Sequence, residues 1–103
     1  MGHLHYGTES FTLEDRALFH MQVVIGVKLR RSEAFFVSWR PELESIEGRH
    51  ALWMDNGVPI HFEYASSRSP SINRDWIEHL VLAANSAGGL NLADERNAEP
   101  IES

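Results

Sequence analysis

The sequence predicts an α+β fold, an antiparallel sheet with two helices packed on one face, in the order β-β-α-β-β-β-α-β. Three observations lead to this prediction. Several short stretches alternate apolar and polar residues, two longer stretches repeat apolar residues at helical spacing, and turn-forming residues separate them. A chain of 103 residues with 43% hydrophobic residues has enough core for a single domain. We place this domain at residues 1–93.

The end of the chain differs in composition from the rest. Residues 94–103 hold four acids and one base, and they account for half of the net charge of −6. This segment is too polar to pack against a core, so we expect an acidic, disordered tail. The domain before it keeps a smaller negative charge, which argues against a protein that coats a polyanion.

The first elements are two short strands between residues 2 and 13, joined by a turn at Gly7-Thr8. Polar and apolar residues alternate there with a period of two. Thr12, followed three residues later by Asp15, resembles a capping box and predicts the start of a helix.

Residues 13–31 allow two interpretations. The spacing of their apolar residues favours a helix, since five of them share one face: Ala17, Leu18, Met21, Ile25 and Leu29. A strand over residues 21–29 stays open as the alternative, because β-branched residues crowd this stretch and Gly26 weakens a helix. In the helical interpretation, three basic residues fall in the last turn and complement the dipole: Lys28, Arg30 and Arg31.

Three strands follow, at residues 34–39, 49–55 and 58–65. Pro41 ends the first of these strands. The acidic residues 42–48 that follow it are predicted to form a connecting loop. The second and third strands flank Asp55-Asn56-Gly57, residues that tolerate left-handed backbone. This tripeptide therefore predicts a hairpin between the two strands.

The second helix is predicted to begin after Asn73, whose side chain suits an N-cap. Five apolar residues form its buried stripe: Trp76, Ile77, Leu80, Val81 and Ala84. Gly88-Gly89 ends the helix, and residues 90–92 add a short closing strand. We also expect all three tryptophans to bury large areas: Trp39, Trp53 and Trp76.

Composition excludes several classes of protein. The chain has no cysteine, which rules out disulfides, thiolate nucleophiles and cysteine-ligated zinc. Its first residues lack the charged and apolar regions of a signal peptide, and the longest apolar run, residues 23–27, is too short to cross a bilayer. We therefore expect a cytoplasmic protein that does not bind membranes.

The most promising candidate site is the polar loop that leads into the second helix. Two serines and the first amides of the helix suit a phosphate or carboxylate, and two arginines supply positive charge. The residues concerned are Arg68, Ser69, Ser71, Asn73 and Arg74. The alternative is purely structural, because any turn and N-cap use these residue types and Asp75 would repel an anion. The basic residues Lys28, Arg30 and Arg31 form a second candidate for contact with nucleic acid.

The sequence gives less support to a metal site or a catalytic site. His3 and His5 share one strand face and suit a metal ion, with His61 as a further ligand. Surface histidines are the alternative, and no carboxylate lies close in sequence to complete the set. Serine-nucleophile and phosphate-loop motifs are missing too. We therefore predict no metal, no cofactor and no catalytic residues.

Several segments resemble a family of short, uncharacterised actinobacterial proteins. Three of the matching segments are Val24-Ile25-x-x-Lys28-Leu29-Arg30-Arg31-x-Glu33-x-Phe35, Asn73-Arg74-x-Trp76-Ile77-Glu78 and Ala84-Asn85-Ser86-x-Gly88-Gly89-Leu90. Further matches are Met1-Gly2-x-Leu4-x-Tyr6-Gly7, Ser38-Trp39, Gly48-Arg49 and Leu52-Trp53, so the resemblance spans nearly all of the chain before the tail. Members of this family often carry the product name ATP-dependent DNA ligase. The resemblance implies no activity for any named residue.

Ligase chemistry does not fit this sequence. A ligase of that class attacks ATP with the lysine of a Lys-x-Asp-Gly motif. The single lysine here, Lys28, is followed by Leu29, Arg30 and Arg31. We expect a small non-catalytic interaction domain that binds a protein partner or itself. The alternative is a nucleic-acid-associated or DNA-ligase-accessory domain.

Overall fold

The structure is a computed structural model that describes residues 1–39, 49–86 and 89–92. It confirms the α+β class and the predicted order of elements. The helices are α1 (Asp15–Arg30) and α2 (Arg74–Ala84). The strands are β1 (Gly2–Tyr6), β2 (Glu9–Leu13), β3 (Phe35–Trp39), β4 (His50–Met54), β5 (Ile60–Glu63) and β6 (Leu90–Asn91).

The first helix confirms the helical interpretation of residues 13–31 over the strand alternative. Leu18, Met21 and Ile25 of α1 are all buried, as their helical spacing requires. A strand over residues 21–29 would send Val24 and Ile25, which are both buried, to opposite faces of a sheet. Burial of the helical face therefore outweighs the β-branched composition, which is only a weak preference.

The strands form two three-stranded sheets instead of one. The first has the order β2-β1-β5, with both pairings antiparallel. The second has the order β4-β3-β6, in which β3 pairs antiparallel with β4 and parallel with β6. Helix α1 packs on β1 and on α2, and α2 lies against β6 and β3.

The predicted hairpin is wrong, because β4 and β5 belong to different sheets. The turn does form, and Val58 N–H donates to the Asp55 carbonyl at 3.4 Å. Beyond it, however, β5 pairs with β1, where Leu4 lies opposite Phe62. The phenol of Tyr6 donates to the Trp53 carbonyl at 2.8 Å and accepts from the Asp55 amide at 2.9 Å. The turn residues thus reverse the chain between two sheets.

The predicted capping box is also wrong. Helix α1 begins at Asp15, and its N-cap, Glu14, makes no side-chain capping bond. The Asp15 carboxylate instead accepts from the amides of Ala65 and Ser66, at 3.2 and 3.0 Å. These long-range hydrogen bonds hold the chain after β5 against the start of α1. They also occupy the Asp15 carboxylate, which a capping box would use for a local hydrogen bond.

The core lies between the two sheets and the helices. Its fully buried side chains include Leu4 of β1, Leu18 and Met21 of α1, Val37 of β3 and Met54 of β4. Trp39 and Trp76 are buried as predicted. The prediction for Trp53 is wrong, since it lies on the outer face of β4 and is 49% exposed.

Helix α2 has the predicted N-cap, because the Asn73 side chain accepts from the Trp76 amide at 3.1 Å. After the helix, Gly89 has a positive φ of 78°, and a Cβ there would lie 2.5 Å from the Phe36 carbonyl oxygen. Residues 40–48, 87, 88 and 93, together with the predicted tail, lie outside the described residues. No helix in the described part of the chain is both long and apolar enough to span a bilayer.

Candidate functional site

A cleft of about 400 Å³ opens where both helices end and β3 begins. Its walls come from the C-terminal ends of α1 and α2, the start of β3, and Trp53 of β4. Its lining includes Lys28, Glu33, Phe36, Trp53, Asn85 and Gly89. We call this region the lysine cleft.

Lys28 is the charged centre of the lysine cleft. It is only 6% exposed, and its ammonium donates to Glu33 Oε1 at 2.9 Å and to Asn85 Oδ1 at 2.5 Å. The hydrogen bond from Lys28, followed by its charge, holds the pKa of Glu33 below the usual 4.5. Since Asn85 is the C-cap of α2, this lysine joins the ends of the two helices. Its charge is compensated within the protein.

Two aromatic side chains project from the sheet beside the cleft. Phe36 and Trp53 lie directly opposite each other on β3 and β4. Their rings pack edge to face at 4.9 Å, and the side chains remain 45% and 49% exposed. Phe35 and Val37 of β3 point into the core, so the period of two sends Phe36 outward. We call Phe36 and Trp53 the aromatic pair.

The sequence contains a signal for one member of this pair. The alternation over residues 34–39 places Phe36 on the opposite face from Phe35 and Val37. Which face meets solvent becomes known only when the sheet pairing is known. Pairing with β4, and not a hairpin between β4 and β5, brings Trp53 beside Phe36.

The predicted basic residues do not form one patch. Lys28 lies twelve residues beyond Arg16 on α1, which is about 18 Å at 1.5 Å per residue. Arg16 contacts the loop that holds Arg68 and Arg74, so the two groups lie near opposite ends of α1. Arg31 is close enough to Glu33 to lower the pKa of that carboxyl. The side chain of Arg30 instead turns back along α1, where a guanidinium nitrogen lies 4.0 Å from the place that a Cβ at Gly26 would occupy.

The loop before α2 is held by contacts within the protein. Arg16 donates to the carbonyl and hydroxyl oxygens of Ser71, at 2.8 and 3.2 Å. The Arg68 amide donates to the hydroxyl of Ser66, and the side chain of Asn73 is used as the cap. Arg68, Ser69 and Arg74 are exposed or partly exposed. Anion binding by this loop stays a prediction.

A polar face covers the outside of the β2-β1-β5 sheet. Register places His5 opposite Ser10 on one side and His61 on the other, with His3 between Thr12 and Glu63. His5 contacts the Ser10 hydroxyl at 2.7 Å through Nδ1, and Glu63 Oε1 at 2.8 Å through Nε2. The bond to His5 is the main reason that the pKa of Glu63 lies below 4.5. We call this surface the histidine face.

The order Ser10–His5–Glu63 is that of a nucleophile, a base and an orienting carboxylate. Acyl transfer also needs amide donors aimed at the developing oxyanion. Strand β1 is paired on both sides, so its amides already serve the two ladders. We therefore assign no catalytic role to this hydroxyl. Among the described residues, no three histidine or carboxylate side chains stand at the spacing of a metal site.

Sequence comparison places the chain in a family without assigning it an activity. No curated protein and no solved structure is significantly similar to it. One family model, described as "Domain of unknown function (DUF7882)", matches residues 1–95 and therefore covers every described element. The chain belongs to this small, uncharacterised family.

Proposed function

We propose that the protein is a non-catalytic interaction domain that binds a partner polypeptide at the aromatic pair and the lysine cleft. The observation that carries the proposal is the exposure of Phe36 and Trp53, two large rings that pack edge to face beside an open cleft. Interfaces are enriched in tryptophan and phenylalanine at their centres, where most binding energy is concentrated.

The chemistry of the surface indicates what the partner presents. The aromatic pair favours an apolar or aromatic side chain. Next to it, Glu33 neutralises Lys28, and the exposed Arg31 supplies one further positive charge. A partner segment that carries an acidic side chain close to an apolar one matches both parts of this surface.

A random peptide library displayed on phage tests this proposal. Selection against the purified protein is expected to enrich sequences that place Asp or Glu near an aromatic residue or leucine. The same selection on Trp53→Ala is expected to lose them. No enrichment, or equal enrichment on Trp53→Ala, contradicts the proposal. Self-association is measured separately by sedimentation equilibrium, and a dimer abolished by Trp53→Ala identifies a second copy as the polypeptide partner.

The second candidate is a nucleic-acid-associated or DNA-ligase-accessory domain. One observation favours it: exposed aromatic rings on a sheet provide a stacking surface for unpaired bases, with cations close by. The resemblance to actinobacterial proteins labelled as DNA ligases points the same way. The test is titration with a single-stranded oligodeoxythymidylate at two salt concentrations. Binding that weakens steeply with salt, and again in Arg31→Ala or Arg68→Ala, supports this candidate over the first.

A further inference from the structure

The histidine face brings together a set of metal-binding groups that are far apart in sequence. His5 lies directly opposite His61, with ring centres 5.2 Å apart, and His3 lies 6.0 Å from His5 on the same strand. Glu63, two residues after His61 on β5, supplies a carboxylate that is hydrogen-bonded to His5. Imidazole with carboxylate is a ligand set that suits Zn²⁺ and similar divalent ions, whereas Mg²⁺ and Ca²⁺ prefer oxygen ligands alone.

The spacing of the two opposed rings suits one shared ion. Zinc lies about 2.0–2.1 Å from an imidazole nitrogen, so two imidazoles on a tetrahedral ion have centres about 5 Å apart. The observed separation of His5 and His61 is 5.2 Å. No three of the described ligand groups converge on a point as they stand, so binding requires the side chains to rotate above a fixed strand register.

The hydrogen bond between His5 and Glu63 marks the position of the ion. Nε2 and Oε1 are 2.8 Å apart and share a proton. Both atoms are metal ligands once that proton leaves, and the gap between two tetrahedral ligands is about 3.3 Å at these bond lengths. The two atoms are thus about half an ångström closer than two ligands of one ion, and rotation of the side chains opens this gap as the ion replaces the proton.

Two hydroxyls hold the rings in a suitable orientation. Ser10 Oγ lies 2.7 Å from Nδ1 of His5, and Thr12 Oγ1 lies 3.3 Å from Nδ1 of His3. In both rings the hydroxyl contacts Nδ1, which leaves Nε2 as the ligating nitrogen. A hydroxyl both donates and accepts, so Ser10 can accept a hydrogen bond from Nδ1–H when the ring proton lies on that nitrogen. Such outer partners orient metal-bound histidines.

From this arrangement we propose that His5, His61 and Glu63 bind one Zn²⁺-like divalent ion, with His3 as a fourth ligand. Ser10 and Thr12 are positioning residues, because they act through the histidines. The site lies on a different sheet from the aromatic pair and does not depend on the function proposed for that surface. In the simplest alternative, the face is a solvated polar surface with no affinity for metal.

Isothermal titration of the tag-free full chain with ZnCl₂ tests the proposal. We expect saturable binding of one ion per chain and no binding of Mg²⁺. His5→Ala, His61→Asn and Glu63→Gln are each expected to weaken binding at least 10-fold. Ser10→Ala should weaken it about 10- to 100-fold, as outer partners do, while Ser10→Thr keeps the hydroxyl and most of the affinity. His79→Ala, an exposed histidine on α2, is the matched control.

Two outcomes overturn the site. One is the absence of saturable Zn²⁺ binding, and the other is a loss in His79→Ala equal to that in His5→Ala. Circular dichroism establishes that each variant is folded, and His61→Asn on the edge strand β5 carries the test if His5→Ala unfolds. Co²⁺ gives a second measurement, since the wild type should develop visible absorption bands that His61→Asn lacks.

Discussion

The backbone amide of Asn73 donates a hydrogen bond to Nε2 of His20 at 2.9 Å. The other ring nitrogen of His20 donates to the Arg16 carbonyl at 2.8 Å, and the ring stacks on Trp76 at 4.6 Å. These bonds place the proton on Nδ1 and require a neutral ring. A fully buried histidine of α1 thus sets the starting point of α2.

Replacing His20 should therefore be costly. In His20→Leu the Asn73 amide loses this acceptor and the aromatic stacking disappears, so we expect the free energy of unfolding to fall by about 2–4 kcal/mol. Urea denaturation measures the change. His79→Leu, on the exposed side of α2, should stay within about 0.5 kcal/mol of wild type. Equal effects of the two substitutions would contradict the role given to His20.

Acid should weaken the protein through two exposed carboxylates. Hydrogen bonding to Lys28 lowers the pKa of Glu33, and hydrogen bonding to His5 lowers that of Glu63, both from 4.5. Because each pKa is lower in the folded state, the stabilisation is complete above 4.5 and is lost as pH falls through the folded values. Glu33→Gln and Glu63→Gln should each flatten the fall of unfolding free energy below pH 4.5. An unchanged slope in both variants would refute this assignment.

Alkaline pH should lower the free energy of unfolding through ionisation of Tyr64. Burial, and then the nearby charge of Asp15, raise its pKa from 10.0 to about 12. Since the folded value is the higher one, this contribution is complete below pH 10 and is lost as pH rises from 10 towards 12. Tyr64→Phe should lose less stability than wild type across that interval in urea titrations. A parallel loss in both proteins would exclude Tyr64 as the titrating group.

Lys28 is not expected to form a covalent adenylate. Its ammonium is buried and hydrogen-bonded to Glu33 and Asn85, so the nitrogen is not presented to the phosphorus atom of a bound nucleotide. Incubation with radiolabelled ATP and Mg²⁺, followed by denaturing electrophoresis and mass spectrometry, measures any adduct. We expect no label on the chain, with an authentic DNA ligase as the positive control. Label on Lys28 would make the protein a nucleotidyltransferase.

Local patterns predicted most elements because each depends on residues close in sequence. The helical face of α1 and the Asn73 cap are examples, since both follow from side chains within a few residues of each other. The division into two sheets depends instead on which distant strands pair. Asp55-Asn56-Gly57 indicates a reversal of the chain, but it carries no information about whether β5 next meets β4 or β1.

The candidate sites also depend on contacts between residues that are distant in sequence, which local patterns do not predict. Lys28 was identified from its charge, but its partner Asn85 is 57 residues away and became apparent only in the fold. The metal hypothesis for His3 and His5 lacked a carboxylate until the pairing of β1 with β5 placed Glu63 beside them. Trp53 was expected to bury a large area, but the pairing of β4 with β3 places it on the outer face beside Phe36.

The most direct test of the interaction-domain proposal uses Trp53 as its own probe. Trp39 and Trp76 are buried, so acrylamide quenching of tryptophan fluorescence reports mainly on Trp53. A saturating acidic–apolar peptide from the selection should shield this fluorescence, and Trp53→Phe should remove the effect. Trp53→Ala should weaken binding at least 10-fold, whereas Leu82→Ala, at a 71% exposed position on α2, should not. A bound peptide that leaves Trp53 fully quenchable, or equal losses in the two alanine variants, would contradict the proposal.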